Sequence, residues 1–478
     1  MAWSDVSPWA WLFFAGEWVL RLVMLLVVPL RRSPAAAKGW LLLIFFEPWV
    51  GLALYLLIGR ARLPRWQRAR LAQLPGALAG IVGRFARHPA VTHPEVGPAL
   101  APAVALAENL GQSPILGGNA VEVLADYGGT IARMAADIDE AKDHVHVLFY
   151  IFADDPTTAP VVDALERAAR RGVRCRVLAD AIGSRIGLRT LRPRLRAAGA
   201  EVEEALPVSL WPWRKARLDL RNHRKIVVVD GRVGYTGSQN LVAAEFTKGL
   251  AYEDLMARVT GPVVLELQYV FASDWFLETG TVLDGDAEFP EPVTTGDVPA
   301  QVLPSGPAFP VQNNQRLFVA LVHGARERVV LTTPYFVPDE PLLQAMGTAA
   351  KRGVEVHLVV SEVGDHPVVA RAQESYYEEL LEAGVRVHLF AQNFLHAKHL
   401  SVDGEVAVIG SSNLDIRSFA LNAEVMLMLY DRGVAAALGR EEQRTFAGSR
   451  ELTMASWAAR PWRRKLGESL ARLLSPLL

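Results

Sequence analysis

Apolar positions along this chain follow two rhythms, and the change between them divides it. The first is unbroken. Trp9 to Leu30 forms one apolar run and Gly39 to Ile58 a second, each long enough to cross a bilayer as a helix. Only RRSPAAAK separates them, which suits a tight turn, so the pattern predicts a transmembrane helical hairpin with helices over about 9–30 and 39–58. Glu17 and Arg21 lie one helical turn apart in the first run, where pairing on one face lowers the cost of burying either in hydrocarbon. A cleaved signal peptide and a hairpin buried in a soluble core are the alternatives; the second run and the lengths of both favour spanning. Arg60, Arg62, Arg65, Arg68 and Arg70 follow the second run, against Arg31, Arg32 and Lys38 in the turn. The positive-inside tendency then puts both termini and the bulk of the chain in the cytoplasm.

The second rhythm alternates short apolar runs with amphipathic stretches, after an Ala-, Pro- and Arg-rich connector with a short helix over 61–110. HVHVLFYIF from His144 and RVVLTTPYF from Arg328 read as buried strands. Each leads to a helix ending at a basic turn, at Gly172 and Gly353, then to the strands VRCRVLAD and VEVHLVVS. Helices ending at Gly199 and Gly384 and the strands AEVEEA and VRVHLF complete each series. This order predicts an α/β fold with mainly parallel sheets, built as two tandem α/β/α repeats over 111–300 and 301–478. In the last stretch, leucines 466, 470, 473 and 474 share one helical face, with Arg463, Arg464, Lys465 and Arg472 around it. With Trp457 and Trp462 this helix can lie on an anionic lipid surface or dock on its own domain. Trp211, Trp213, Arg214 and Lys215 offer the same two choices in a loop.

A short motif occurs twice at the end of the two series. The first copy is His223, Lys225 and Asp230, followed by Gly237, Ser238 and Asn240; the second is His396, Lys398 and Asp403, followed by Gly410, Ser411 and Asn413. Every position in the second copy lies 173 residues beyond its counterpart, as 396 does beyond 223. Two patterns in register imply half-sites that meet across a pseudo-twofold axis, giving one pocket with two histidines and two lysines.

That set suits phosphodiester exchange. A neutral imidazole can attack phosphorus while a protonated one gives its proton to the departing alkoxide, and both forms are accessible near neutrality. Lysine supplies charge to the non-bridging oxygens, and serine and asparagine at the glycine turn can add donors to the same oxygens. A covalent phosphohistidine follows as the expected intermediate. Each imidazole also needs an orienting carboxylate. Asp254 and Glu424 stand at similar distances downstream of the two motifs and are the candidates, with ordinary surface acids as the alternative. Asp230 and Asp403 precede Gly231 and Gly404 at hairpin turns, where bracing the lysine and the turn suits them better than proton transfer.

Composition narrows the partners. Fifty basic against 51 acidic side chains give a net charge of −1, which argues against a general nucleic-acid binder. Cys175 is the single cysteine, so no intrachain disulfide can form; its apolar setting reads as a packed thiol. No Cys/His cluster has zinc-ligand spacing and no Walker-type loop is present, so no metal or other cofactor is expected. His366 and His388 stand alone and read as core or surface residues.

The paired motifs resemble the phospholipase D (PLD) superfamily. The fuller set resembles bacterial cardiolipin synthases of the two-span type: the hairpin, DLRNHRKIVVVDGRVGYTGSQN, TTPYFVPDEPLL, LHAKHLSVDG, GSSNLDIRS and the final Ser-Pro-Leu-Leu. The likeness covers nearly the whole chain and is weakest from about Arg62 to Ala107. It implies two PLD-like repeats behind a membrane hairpin, in the bacterial inner membrane. It also implies that two phosphatidylglycerol molecules give cardiolipin and glycerol, through His223, Lys225, Asp230, His396, Lys398 and Asp403. By the same likeness His223 is the nucleophile and His396 the acid/base; near-symmetric half-sites leave the reverse open. A membrane-anchored phospholipase D, a phosphatidyltransferase with another acceptor, and a superfamily nuclease are the rival readings.

Overall fold

A computed structural model describes residues 8–32, 34–59, 63–207, 219–245, 249, 251–309, 311–473 and 475. The described residues form two compact units, one of the helices up to Leu63 together with Asp219, the other of the remainder from Pro64.

In the first unit, a helix over Pro8–Val27 contains one segment, Trp9–Val27, long and apolar enough to cross a membrane, with only 6% of it buried in protein. Glu17 and Arg21 pair at 3.3 Å, and Arg21 Nε also donates to the Phe45 carbonyl at 3.1 Å. The second apolar run is not the continuous helix expected. It is two helices, Pro34–Phe46 and Pro48–Ile58, each shorter than a span. Pro48 lacks an N–H and pushes Glu47 out of the helical region, to φ −130° and ψ 80°. Bonds from Glu47 N to Leu43 O and from Gly51 N to Glu47 O nevertheless carry across the break. Met24, Val28, Trp40, Ile44 and Tyr55 form the small core of this unit.

The second unit is built on a 16-stranded mixed sheet. On one flank the parallel strands Glu201–Ala205, Arg174–Asp180 and His144–Phe149 lead to the antiparallel strands Ile226–Val229, Val233–Gly237 and Met256–Thr260. On the other, Arg386–Phe390, Glu355–Ser361 and Arg328–Thr332 lead in the same order to His399–Val402, Val406–Gly410 and Asn422–Leu429. Two antiparallel strands, Leu116–Leu124 and Val298–Ser305, join the flanks. Parallel pairing is thus confined mainly to the outer triplets, which corrects the expectation of mainly parallel sheets. The motif hairpins close through Asp-Gly turns, and hairpin neighbours must run antiparallel.

All six residues of His144–Phe149 are buried, as a run without alternation requires when both faces are covered. The connector is more structured than expected, with helices over Arg65–Ala77, Ala79–Ala86 and Ala101–Gly111. Gln67 Nε2 donates to Glu278 Oε1 at 2.7 Å, fastening the first of these to the buried helix Val264–Thr279.

The C-terminal helix Trp462–Arg472 docks through its charges: Arg464 on Glu374 at 2.7 Å and Arg472 on Glu379 at 3.1 Å. That leaves Trp462, Leu466, Leu470 and Leu473 exposed, whereas Trp457 is buried under the Arg460 guanidinium. The loop carrying Trp211, Trp213, Arg214 and Lys215 lies outside the described residues, as does Leu474.

Candidate active site

Each motif histidine sits where a two-residue strand meets a hairpin. Arg221–Asn222 precedes His223 and pairs in parallel with Asn422–Ala423; Phe394–Leu395 precedes His396 and pairs with Tyr252–Glu253. His223 N then donates to the Ala423 carbonyl at 2.9 Å, and His396 N to that of Glu253 at 2.8 Å. The register sets each ring beside the next residue of the facing strand. His223 Nδ1 lies 3.1 Å from Glu424, and His396 Nδ1 lies 2.7 Å from Asp254. Both carboxylates are therefore supplied from across the sheet, each motif being oriented by the acid that follows the other. Since a carboxylate only accepts, each Nδ1 carries the hydrogen and each Nε2 keeps its lone pair.

The two histidines line one cavity of about 540 Å³, together with Asn240 and Asn413. Tyr150 meets His223 edge-on at 5.0 Å, and Tyr252 stacks on His396 at 5.1 Å. Lys225 and Lys398 do not line the cavity, which corrects the expectation of a pocket walled by two histidines and two lysines; both are buried, each Nζ donating to the carbonyl of its own motif histidine at 2.7 Å.

Ser238 and Ser411 differ from expectation. Both are fully buried and absent from the cavity wall; Ser238 Oγ donates to Asp254 at 2.6 Å and Ser411 Oγ to Glu424 at 2.5 Å. They fix the orienting carboxylates rather than facing a substrate oxygen. The preceding glycines are required by crowding: a Cβ on Gly237 would lie 2.3 Å from the Leu255 carbonyl, and one on Gly410 2.3 Å from that of Val425. Asn240 Oδ1 accepts from Ile151 N at 3.2 Å, which leaves its NH2 group available.

Asp230 and Asp403 do not line the cavity or brace the lysines. Asp230 accepts three backbone N–H groups, of Lys142, Asp143 and His144, each at 2.8 Å. Asp403 does the same for Arg326, Glu327 and Arg328 at 2.8–2.9 Å. Their φ values of 51° and 52° followed by Gly231 and Gly404 at 62° and 65° make them turn residues that clamp the neighbouring strand.

Electrostatics follow from burial. Desolvation, with Lys225 adding, holds His223 down to about 4 against the pull of Glu424. Burial lowers His396 likewise, opposed by Asp254. Lys225 falls to about 7 through burial and repulsion from Lys398, and burial takes Lys398 to about 8. Burial pushes Asp254 and Glu424 up, but the facing imidazoles, lysines and serine hydroxyls outweigh it, and both end below the ordinary carboxylate range. At neutral pH the site thus holds neutral imidazoles, two ionised carboxylates and lysines poised to be fully charged once an anion enters.

Several residues on and behind the cavity wall carried no motif signal. Asp180, at the end of its strand, holds Arg221 at 3.1 Å and Asn222 N at 2.9 Å. Asp274 pairs with Arg224, whose Nε donates to the Glu424 carbonyl at 3.0 Å. Tyr335, Asp365, Asp415 and Arg417 complete the second-half wall, and His366 stands exposed at its lip. Asp180 and Tyr335 mark the ends of the parallel strands, where ligands of α/β sheets gather, and that position is the signal that could have found them. Cys175 is buried and its thiol is pushed up to about 12 by desolvation, far from nucleophilic.

Comparison with known proteins gives the same answer. The family described as "Cardiolipin synthase, PLD-like domain" matches residues 134–275 and again 318–445. Cardiolipin synthase A of Pectobacterium carotovorum subsp. carotovorum (strain PC1) is 36% identical over 98% of both chains. That of Serratia proteamaculans (strain 568) is 35% identical over the same shares. Among solved structures, phosphatidylserine synthase of Haemophilus influenzae Rd KW20 matches the fold with a TM-score of 0.62 at 15% identity, covering 79% of this chain and 100% of that one. With two motif histidines in one cavity and likeness along nearly the full length, this chain belongs to the cardiolipin synthase family of PLD-like proteins.

Proposed function

We propose that the protein is a cardiolipin synthase that transfers a phosphatidyl group between two phosphatidylglycerol molecules. The observation that carries this is the pair of Nδ1-anchored histidines on one cavity, each with its own carboxylate and lysine. His223 Nε2 attacks the phosphorus of the first lipid, and the P–O bond to glycerol breaks. His396, protonated at Nε2, gives that proton to the departing oxygen. A hydroxyl of the second phosphatidylglycerol then returns a proton to His396, its oxygen bonds to phosphorus, and the P–N bond breaks. Cardiolipin and glycerol result, and both imidazoles regain their starting forms. One phosphodiester replaces another, so the exchange is nearly energy-neutral and uses no nucleotide. The entering phosphodiester is an anion; it raises the lowered Lys225, Lys398 and His396 together, so substrate binding itself charges the donors.

The two flanks with matching strand order support tandem PLD-like repeats over about 111–300 and 301–478 with a pseudo-twofold relation. The apolar helix Trp9–Val27 and the two-part run to Ile58 support a membrane hairpin over 1–60, followed by the connector 61–110. Basic residues after that run favour a cytoplasmic catalytic unit in the bacterial inner membrane. The leucine face of Trp462–Arg472 is free to meet lipid once its arginines are engaged by protein. The balanced charge speaks against nucleic acid as substrate.

The test is the lipid profile, by mass spectrometry, of a cardiolipin-free bacterial host expressing the chain. Cardiolipin with free glycerol is expected; phosphatidic acid as the main product would make it a hydrolase, and a different diester would identify another acceptor. His223→Ala and His396→Ala should each abolish the product, since both serve one turnover, and substantial activity in either would sink the two-histidine mechanism.

A further inference from the structure

The two half-sites share their motif but not their walls. Two residues before His223 stands Arg221, held by Asp180; two residues before His396 stands Phe394, where Ser361 takes the place of Asp180 and accepts from Leu395 N at 3.2 Å. At this position a cation precedes one histidine and a buried aromatic ring the other, although each histidine also has a tyrosine beside it and Arg417 stands on the second-half wall. Beside Phe394, at 6.1 Å between rings, lies Tyr335, whose hydroxyl donates to the Asp365 carboxylate at 2.8 Å. Asp365 lines the cavity with its side chain 11% exposed. Asn413, also on the wall and 6% exposed, has an Oδ1 with no hydrogen-bond partner among the described residues, unlike its counterpart Asn240.

Resting on the reading above, we infer that the Tyr335–Asp365 pair with Asn413 forms an alcohol-selecting subsite beside His396 that recognises the free hydroxyls of a glycerol headgroup. Phosphate oxygens need donors, which Arg221 and the Asn240 amide offer near His223. Polyol hydroxyls need acceptors, which Asp365 and Asn413 offer, and their C–H faces pack on the aromatic rings of the wall there, Tyr252 and Tyr335. A carboxylate repels a phosphate, so the same residues keep the anion on the Arg221 side. The leaving glycerol and the attacking glycerol pass through one transition state in opposite directions, so one subsite serves both steps. This division assigns phosphorus attack to His223 and alcohol protonation to His396 from the walls alone. Asp365 is thus a specificity residue, and Tyr335 positions it.

The experiment gives the full-length protein, in mixed micelles with phosphatidylglycerol, deuterated glycerol and ethanol together. Labelled phosphatidylglycerol and phosphatidylethanol report capture of the two alcohols by one active centre. Their ratio is independent of how much protein has folded. Asp365→Asn and Tyr335→Phe should each shift it toward phosphatidylethanol by about tenfold or more, the worth of one charge-assisted hydrogen bond. Arg221→Lys should lower both products and leave the ratio alone. A ratio within about twofold of wild type in variants that still make phosphatidylethanol would overturn the inference. So would loss of both products in the two wall variants, which would make the pair part of the chemistry or the fold. Wild-type protein that makes neither product would instead defeat the transferase reading on which this rests.

Discussion

Replacing Lys225 with methionine should stabilise the protein while destroying its activity. The ammonium is fully buried, and burial with repulsion from Lys398 brings it from 10.5 to about 7 despite Glu424, Asp254 and Asp180. Keeping it charged below that value costs the fold about 5 kcal/mol relative to the unfolded chain. Methionine has similar length and no charge. Its cost is the lost bond to the His223 carbonyl, 2.7 Å in length, whose stranding is worth about 1–3 kcal/mol. The balance is a gain of about 2–4 kcal/mol, or roughly 2–4 °C in Tm for a chain of this size. The sign with pH follows from a folded-state value below the unfolded one. Wild type bears the full cost below about pH 7 and sheds it as pH rises toward 10.5, so the gap between variant and wild type should be widest at pH 6 and narrower at pH 9. Thermal unfolding of both full-length proteins in one nonionic detergent, followed by tryptophan fluorescence at the two pH values, measures it. Turnover should fall roughly 100-fold or more. A variant that melts below wild type at pH 6, or a gap that ignores pH, would refute the reasoning.

Three further outcomes are expected. Glu424→Gln and Asp254→Asn should lower kcat by about 10²- to 10⁴-fold with little change in KM, because an amide can present its NH2 to Nδ1 and reverse the tautomer; an effect carried mainly by KM would contradict this. Initial rates at low substrate should rise through about pH 4 as His223 loses its proton and fall above about pH 7 as Lys225 loses its own; an alkaline limb beyond pH 9 would show that the Lys225 charge is dispensable. Asp230→Ala removes the acceptor of three backbone N–H groups, two of them within reach of water, and should cost about 1–3 kcal/mol in unfolding, with kcat per folded molecule nearly unchanged; normal stability with lost turnover would return Asp230 to the chemistry.

Whatever repeats or is local could be read from consecutive residues. The constant spacing of the two His-Lys-Asp copies, the strand–helix order before each and the Asp-Gly turns are written in consecutive residues, since period and turn chemistry act over a few positions. Asp254 and Glu424 could be picked out by their similar distances from the motifs. Their exchange could not: Glu424 reaches His223 because Asn422–Ala423 pairs with Arg221–Asn222, a register between segments some 200 residues apart. The same holds for Ser238 and Ser411, whose hydroxyls turn from the cavity to the carboxylates, and for the antiparallel strands that join the flanks. The break at Glu47 was legible in Pro48 but was masked by unbroken hydrophobicity on either side. The walls were least legible of all. Arg221 beside His223, and Asp365 under Tyr335, acquire meaning only when strand ends converge on one cavity, because a side chain's chemistry depends on what long-range packing sets against it.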